Sequence, residues 1–336
     1  MTKRERVLKA IHHQETDIIP YQINFSAKAL ESVIAYTRNP QYAESIGNHM
    51  CRCYGDKYFE QTDKGADYWR DQFGVVWNRS GIDKDVGVVE EIIIKEPALK
   101  GYQLPEVNEE RFNRQFKQAL EKAEDRCVTA NIGYMLFERA WSLRGMENLL
   151  MDMIAEPAFV EELFENICNY QLSVIDLALK FPVDGFYFGD DYGQQKGLIM
   201  GPHYWRKFIK PYAARIFEKV KRAGKFVALH SCGDIEEIFP DLIEIGLDVY
   251  QTVQPEIYDM EKIKSEYGKD LSFWGGISTQ TLLPWATPDE VKRVTRDVIG
   301  IMRECGGYIA SPTHTLPGDV PPQNIIALVE VLANQR

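Results

Sequence analysis

The amino-acid sequence predicts an α/β protein whose repeated strand and helix units close into a distorted (β/α)8, or TIM, barrel. From Arg126 onward, short apolar runs alternate with amphipathic segments of helical period, which is typical of a parallel sheet surrounded by helices. Neither a glycine-rich dinucleotide fingerprint nor a Walker loop follows any of these apolar runs. A doubly wound open sheet is the alternative arrangement of the same units.

Residues 1–336 are expected to form a single domain in two parts, an irregular part over residues 1–120 and a regular part over residues 121–336. The chain has 336 residues, of which 45% are hydrophobic. A single α/β barrel commonly takes about 250 residues or more, so this length does not require a second domain. The first part is predicted to contain a helix (Thr2–His12), a buried strand (Thr16–Phe25), helices through Met50, and a hairpin over residues 68–96 with its turn at Asn78–Asp85.

The regular part contains six predicted strands, which make seven together with the strand near Ile19; an eighth is not evident. These six are Val128–Ile132, Gly185–Gly189, Phe226–His230, Val249–Val253, Ser272–Gly276 and Tyr308–Ser311. The intervening helices are predicted at Pro157–Lys180, Tyr204–Ala223, Asp234–Ile245 and Pro288–Cys305. Because active sites of this fold lie at the C-terminal ends of the strands, the residues after each strand are the functional candidates.

Charge and composition exclude several classes of function. The formal net charge is -11, from 39 Lys and Arg against 50 Asp and Glu, which argues against binding to nucleic acid or to an anionic membrane. The sequence has no uninterrupted apolar run of a membrane-spanning length, and its N-terminus lacks the apolar core of a secretion signal. We therefore expect a soluble, cytoplasmic protein whose six scattered cysteines are reduced thiols.

His230 and Cys232 form the candidate metal centre, since both follow a predicted strand and are separated by a single residue. An imidazole and a thiolate suit zinc, which takes three protein ligands and one open position in catalytic sites. His314, in a proline-flanked loop after the last strand, is the predicted third ligand, with Glu256 as the alternative. Spacing alone also permits that the two side chains are simply packed, and Cys51 and Cys53 could ligate a metal but have no neighbouring ligands.

Other polar and aromatic side chains at the strand ends are expected to surround this centre. Four carboxylates are candidates for proton handling or for supporting the ligands: Glu138, Asp190, Asp191 and Glu256. The Asp190–Asp191 pair could equally be a solvated turn or a helix cap. The candidates for binding substrate or cofactor are Asn24, Tyr134, Gln254, Trp274 and Tyr308.

Six motifs together resemble the uroporphyrinogen decarboxylase superfamily, in particular its cobalamin-dependent methyltransferase branch. They are Phe188–Gly193, Leu198–Pro202, His230–Asp234, Gln254–Glu256, Phe273–Ile277 and Ser311–His314, and the resemblance extends from about residue 120 to residue 330. It implies a distorted barrel, zinc held by His230 and Cys232, and a distant ligand that is cysteine in those relatives and His314 here. It also implies that a methyl group is exchanged between a small methyl donor or acceptor and the cobalt of a corrinoid on a partner protein.

The decarboxylase branch of the superfamily differs at the residues that hold its substrate. Its members have carboxylate-binding arginines after the first strand, whereas the corresponding stretch Tyr21–Ser26 has none. The comparison therefore disfavours decarboxylation. Two alternatives stay open: a cofactor-free tetrapyrrole decarboxylase, and a non-catalytic protein that binds a tetrapyrrole or a corrinoid.

Overall fold

The computed structural model describes residues 1–55, 58–81 and 87–335. In chain order its strands are β1 (Met50–Cys53), β2 (Phe59–Gln61), β3 (Tyr68–Asp71), β4 (Val76–Asn78), β5 (Val88–Val89), β6 (Cys127–Ile132), β7 (Gly185–Gly189), β8 (Phe226–His230), β9 (Val249–Val253), β10 (Ser272–Ile277) and β11 (Tyr308–Pro312). Its helices are α1 (Lys3–Ile11), α2 (Ala27–Thr37), α3 (Tyr42–Ser45), α4 (Glu109–Leu120), α5 (Phe137–Arg144), α6 (Met146–Ala155), α7 (Pro157–Ala178), α8 (Gly201–Phe208), α9 (Lys210–Arg222), α10 (Phe239–Glu244), α11 (Met260–Tyr267), α12 (Pro288–Met302) and α13 (Pro322–Ala333).

Seven of the described strands form one curled parallel sheet in the order β1-β6-β7-β8-β9-β10-β11. Every residue of β6, β9 and β10 is buried, as expected for strands covered on both faces. Alternate side chains point to the helix layer and to the barrel interior. The interior cluster contains Met50, Cys127, Phe226, Ala228, Val249, Trp274 and Ile309. The arrangement confirms the predicted distorted barrel.

An extended segment, residues 20–25, fills the eighth position of the barrel without being a regular strand. Tyr21 and Phe25 each make a single parallel bridge, to Ala310 and Leu316. On the other side, the backbone N–H of His49 donates to the carbonyl of Tyr21 at 3.1 Å. The predicted strand Thr16–Phe25 is thus reduced to isolated bridges. Among the described strands of the barrel sheet, β1 is the one that the sequence did not reveal, in a region where helices were predicted to continue through Met50.

Helix α1 closes the N-terminal end of the barrel. The helix begins with a capping box, in which Thr2 accepts from the backbone of Glu5 and the Glu5 carboxylate accepts from the backbone of Thr2. Val7 and Ile11 are buried within the interior cluster, so the apolar face of α1 fills the opening beneath the strands. The barrel is consequently open to solvent at the other end, where the strands terminate.

A small antiparallel sheet, β2-β3-β4-β5, precedes the regular part. The predicted hairpin corresponds to β4 and β5, whereas β2 was not predicted. Strands β4 and β5 pair with Trp77 opposite Val89. The turn predicted at Asn78–Asp85 lies partly at residues 82–86, outside the described residues.

Prolines divide two of the predicted helices. The predicted helix Tyr204–Ala223 is split into α8 and α9 because Pro211 in the first turn of α9 cannot donate the hydrogen bond that would continue the helix. The predicted helix Asp234–Ile245 is a 3-10 turn, Glu236–Ile238, followed by α10 with Pro240 in its first turn. Of the helices in the described ranges, none is both long and apolar enough to cross a membrane.

Candidate metal centre

His230 and Cys232 lie together at the mouth of the barrel. His230 ends β8, and its Nε2 atom is 3.5 Å from the Sγ atom of Cys232. The chain turns at Gly233, which has a φ of 80° and lies against the backbone of Gly193. A Cβ atom on Gly233 would approach the carbonyl carbon of Gly193 to 2.3 Å, so glycine is required for this turn. Strand end and turn together point the imidazole and the thiol to one place.

Asp191, which follows β7, completes a cluster of three potential ligands. One ligand atom each from Asp191, His230 and Cys232 lies within 4.8 Å of the others. The Oδ1 atom of Asp191 is 3.5 Å from Nε2 of His230 and accepts the backbone N–H of Cys232 at 2.8 Å. Asp191 was predicted as a catalytic carboxylate, and the structure places it among the metal-ligand candidates.

Gln251 and Tyr187 orient the imidazole of His230. The Tyr187 hydroxyl donates to Oε1 of Gln251 at 2.8 Å, and the same oxygen accepts from Nδ1 of His230. With its proton on Nδ1, His230 presents the lone pair of Nε2 toward Cys232 and Asp191. A metal ion bound at Nε2 requires this tautomer. Neither Tyr187 nor Gln251 was selected from the sequence, because a strand-interior position is not distinguished from a core position by pattern alone.

Asp190 faces away from this cluster and caps α5. Its two carboxylate oxygens accept the backbone N–H groups of residues 136–138 at 2.7–3.1 Å. Burial raises the pKa of Asp190 to about 7, and these backbone hydrogen bonds oppose the rise. Asp190 is therefore a positioning residue for α5, which agrees with the helix-cap interpretation of the Asp190–Asp191 pair.

Negative charge accumulates beside the ligand cluster. Burial raises the pKa of Glu138 well above its usual range, and the charges of Asp191 and Asp190 raise it further. Burial also raises the pKa of the Cys232 thiol, with contributions from Asp191 and Glu138. A divalent cation would stabilise the ionised forms of all of these groups. The electrostatics of the cluster thus favour a bound metal ion.

The other predicted ligands lie outside the three-residue cluster. The His314 ring is exposed, and its centroid is 5.8 Å from that of His230. Glu256 is exposed and accepts hydrogen bonds from the hydroxyls of Ser278 and Thr281. Gln254, which was predicted as a binding residue and not as a ligand, accepts the backbone N–H of Gly233 at 2.9 Å and so supports the turn that follows His230.

The predicted binding residues separate into different environments. Tyr134 follows β6 at the barrel mouth, and Trp274 is fully buried in the barrel interior. Asn24 accepts a hydrogen bond from Gln22 at 3.1 Å within the segment that fills the eighth position. The prediction that Tyr308 lines the pocket is wrong. Its side chain points to the helix layer, because the alternate residue Ile309 occupies the interior.

A cavity of about 130 Å³ lies between the small antiparallel sheet and the barrel mouth. Five aromatic residues line it: Tyr54, Phe59, Phe73, Trp77 and Tyr134. Its wall includes Arg139, which pairs with Asp71 at 2.7 Å, both side chains being buried. Its largely aromatic lining is suited to a small organic molecule.

Comparison with known proteins gives consistent results. Residues 134–335 match the family described as "Uroporphyrinogen decarboxylase (URO-D)". The methylated-thiol–coenzyme M methyltransferase of Methanosarcina mazei is 21% identical over 187 residues, which cover 54% of this chain and 48% of that relative. The chain thus spans about half the length of this curated relative. A solved methyltransferase structure from Methanosarcina mazei has a TM-score of 0.72 and 15% sequence identity, covering 100% of this chain and 99% of the other, which shows a shared fold.

Proposed function

Because the chain belongs to the uroporphyrinogen decarboxylase family, we propose that it is a zinc-dependent methyltransferase. It would exchange a methyl group between a small substrate and the cobalt of a corrinoid bound to a partner protein. The principal support is the convergence of Asp191, His230 and Cys232 within 4.8 Å at the barrel mouth. The name of the curated relative, a methyltransferase, agrees with this assignment.

The donor atoms of the cluster fit zinc. An imidazole nitrogen, a thiolate sulfur and a carboxylate oxygen are all common zinc ligands, and three protein ligands leave one position for a substrate. We assign His230, Cys232 and Asp191 as these ligands, with His314 near enough to His230 to act as an additional or substitute ligand. When bound, zinc supplies a Lewis acid that lowers the pKa of a thiol acceptor or stabilises the leaving heteroatom of a methyl donor.

The surrounding residues have separate tasks in this proposal. Gln251 and Tyr187 fix the His230 tautomer through the shared oxygen of Gln251. Glu138, whose pKa is raised by burial and by the nearby carboxylates, would transfer a proton to or from a substrate heteroatom. The aromatic cavity beside Tyr134 would exclude water from the reacting groups.

The metal centre is tested by measuring zinc in purified wild-type protein and in single variants. We expect about one zinc ion per wild-type chain and a loss of most of it in His230→Ala and Cys232→Ala, since each removes one of three ligands. Cys305→Ala, which changes an exposed cysteine, is the matched control and should retain the metal. Wild-type protein without stoichiometric zinc, or full zinc in Cys232→Ala, would contradict the assignment.

Methyl transfer is tested by following the cobalt spectrum of cobalamin with a panel of thiols and methyl ethers. We expect demethylation of methylcobalamin by a thiol, or methylation of reduced cobalamin by an ether, and loss of either reaction in Cys232→Ala. The panel also determines the direction of methyl transfer, from cobalt to a thiol or from an ether to cobalt, since the proposed metal chemistry is compatible with either. Absence of any spectral change with zinc-loaded protein would refute the proposed activity.

Decarboxylation is the second candidate, because the family name describes that reaction. The segment at the eighth barrel position has the amides of Gln22 and Asn24, which hydrogen-bond to each other, and no guanidinium group that could hold a polycarboxylate. Release of carbon dioxide from uroporphyrinogen by metal-free protein would favour the decarboxylase over the methyltransferase.

A further inference from the structure

Arg52 is a cation in the interior of the barrel. Met50, two residues earlier on β1, belongs to the interior cluster, and the alternation of side chains along the strand places Arg52 on the same face. The guanidinium carbon lies 4.6 Å from the ring centre of Tyr187 and 5.4 Å from that of Trp274. Because barrel interiors are ordinarily filled by branched apolar residues, an arginine across this space requires an explanation.

The guanidinium of Arg52 and the neighbouring indole of Trp274 each have a buried N–H group without an acceptor among the described residues. In the part of the chain that the structure describes, Nε of Arg52 and Nε1 of Trp274 have no hydrogen-bond partner. The side chain of Trp274 is completely buried. Since buried polar groups nearly always find partners, two unpaired donors on neighbouring side chains leave room for an acceptor that the described part of the protein does not itself supply.

The charge of Arg52 is also unbalanced, in contrast to two other buried arginines. Arg139 pairs with Asp71 at 2.7 Å, and Arg144 pairs with Asp152 at 2.6 Å. Within the described residues Arg52 has no such ion pair; its close polar neighbours are the hydroxyls of Tyr54 and Tyr187. Aromatic faces offset only part of the cost of burying a cation, so an anion is the expected partner.

We propose that Arg52 and Trp274 bind the anionic group of the small substrate, a carboxylate, sulfonate or phosphate. The guanidinium fork matches the oxygens of such a group, and the indole N–H adds a further donor. Tyr187 lies between this anion site and the metal ligands. Its ring centre is 4.6 Å from the guanidinium carbon of Arg52 and 6.3 Å from the ring centre of His230. The placement of the substrate's reacting end rests on the proposed function. The anionic group of the substrate would lie at Arg52, and its reacting sulfur or oxygen would lie at His230 and Cys232.

The anion site is tested by calorimetric titration of purified protein with propionate, ethanesulfonate and inorganic phosphate. Propionamide, the neutral counterpart of propionate, is the ligand control. We expect at least one anion to bind with a Kd in the millimolar range, propionamide not to bind, and Arg52→Gln to weaken the anion at least tenfold. The anion that binds best identifies the chemical group of the substrate.

Matched variants distinguish recognition from misfolding. Trp274→Phe keeps the ring and removes the N–H, so it should weaken the anion about threefold to tenfold, while Arg52→Lys should retain part of the affinity because it keeps the charge. Arg114→Met, an exposed arginine, should bind as wild type does. Equal binding of propionate and propionamide, no binding of any of the three anions, or undiminished anion binding by Arg52→Gln would overturn the proposal.

Zinc content separates this result from the metal centre. None of the probes has a thiol, and we expect Arg52→Gln and Trp274→Phe to hold zinc as wild type does. Anion binding by a protein that lacks zinc would refute the proposed metal chemistry and support the anion site. Zinc binding and methyl transfer without anion binding would support the metal chemistry and refute the anion site.

Discussion

Asp190 and Asp191 are adjacent in the sequence but have different hydrogen-bond partners, because successive side chains at the end of β7 point in different directions. Asp190 binds the backbone at the start of α5, while Asp191 lies within 3.5 Å of His230 and accepts the N–H of Cys232. The sequence was sufficient to select both aspartates and the pair His230 and Cys232, whose spacing is local. It could not assign Asp191 as a ligand candidate, since that depends on the register between β7 and β8.

Arg52 and Tyr308 show that the sequence likewise could not predict which face of a strand a side chain occupies. Nothing in the tetrapeptide of β1 indicates that its arginine faces the barrel interior, and Tyr308 was assigned to the pocket although its neighbour Ile309 faces inward. A shift of one residue along a strand reverses the face, so strand ends alone do not determine which side chains converge.

The third zinc ligand can be identified by comparing Asp191→Asn with His314→Ala. We expect Asp191→Asn to lower zinc affinity at least tenfold, about 1.4 kcal/mol, because an amide is a weaker and uncharged ligand. His314→Ala should change the affinity less than about threefold, or about 0.7 kcal/mol. Competition with a chromophoric chelator measures both. A larger loss in His314→Ala would instead support the third ligand predicted from the sequence.

The elements of the barrel differ in how completely their sequences determine them. Strands β7, β8 and β9 match the predicted bounds, because each is a short buried run rich in apolar, aromatic and β-branched residues. Strand β1 was missed, since four residues with Arg52 at the third position show neither alternation nor an apolar run. Its strand geometry is imposed by pairing with β6, which is tertiary information.

The N-terminus of α5 depends on a single buried carboxylate. We expect Asp190→Ala to lower the free energy of unfolding by about 2–3 kcal/mol, because three backbone N–H groups lose their acceptor in a buried place. Asp259→Ala is the control: this exposed residue caps α11 through one N–H, and its loss should cost about 1 kcal/mol. Urea denaturation measures both, and equal effects would refute the role assigned to Asp190.

The barrel as a whole is closed at a seam that is not a regular strand pair. His49 lies in this seam: its N–H donates to Tyr21, and its carbonyl accepts from Cys127 of β6. The buried imidazole accepts a hydrogen bond at Nε2 from Arg6 at 2.7 Å. Burial and the charge of Arg6 lower the pKa of His49 to about 4. In the folded barrel His49 is therefore neutral at neutral pH.

Acid should weaken the closed barrel through His49. Below a pH of about 6.5 the unfolded chain binds a proton at His49 that the folded chain does not bind until pH falls to about 4, so stability decreases with falling pH in this window. Between pH 7.5 and pH 5 the loss from this residue should be about 2 kcal/mol. Urea denaturation should show this loss reduced in His49→Gln and unchanged in His203→Gln, an exposed control. The same pH dependence in wild type and His49→Gln would exclude the mechanism.

Helix α1 closes one end of the barrel with Val7 and Ile11, which has a kinetic consequence for the proposed methyl transfer. Within the described residues this leaves the mouth at the strand ends as the route for a small molecule bound inside. A corrinoid protein seated over that mouth would block this path. Binding in the proposed reaction should therefore follow a compulsory order, in which the small substrate enters first and the protein partner departs before the small product is released.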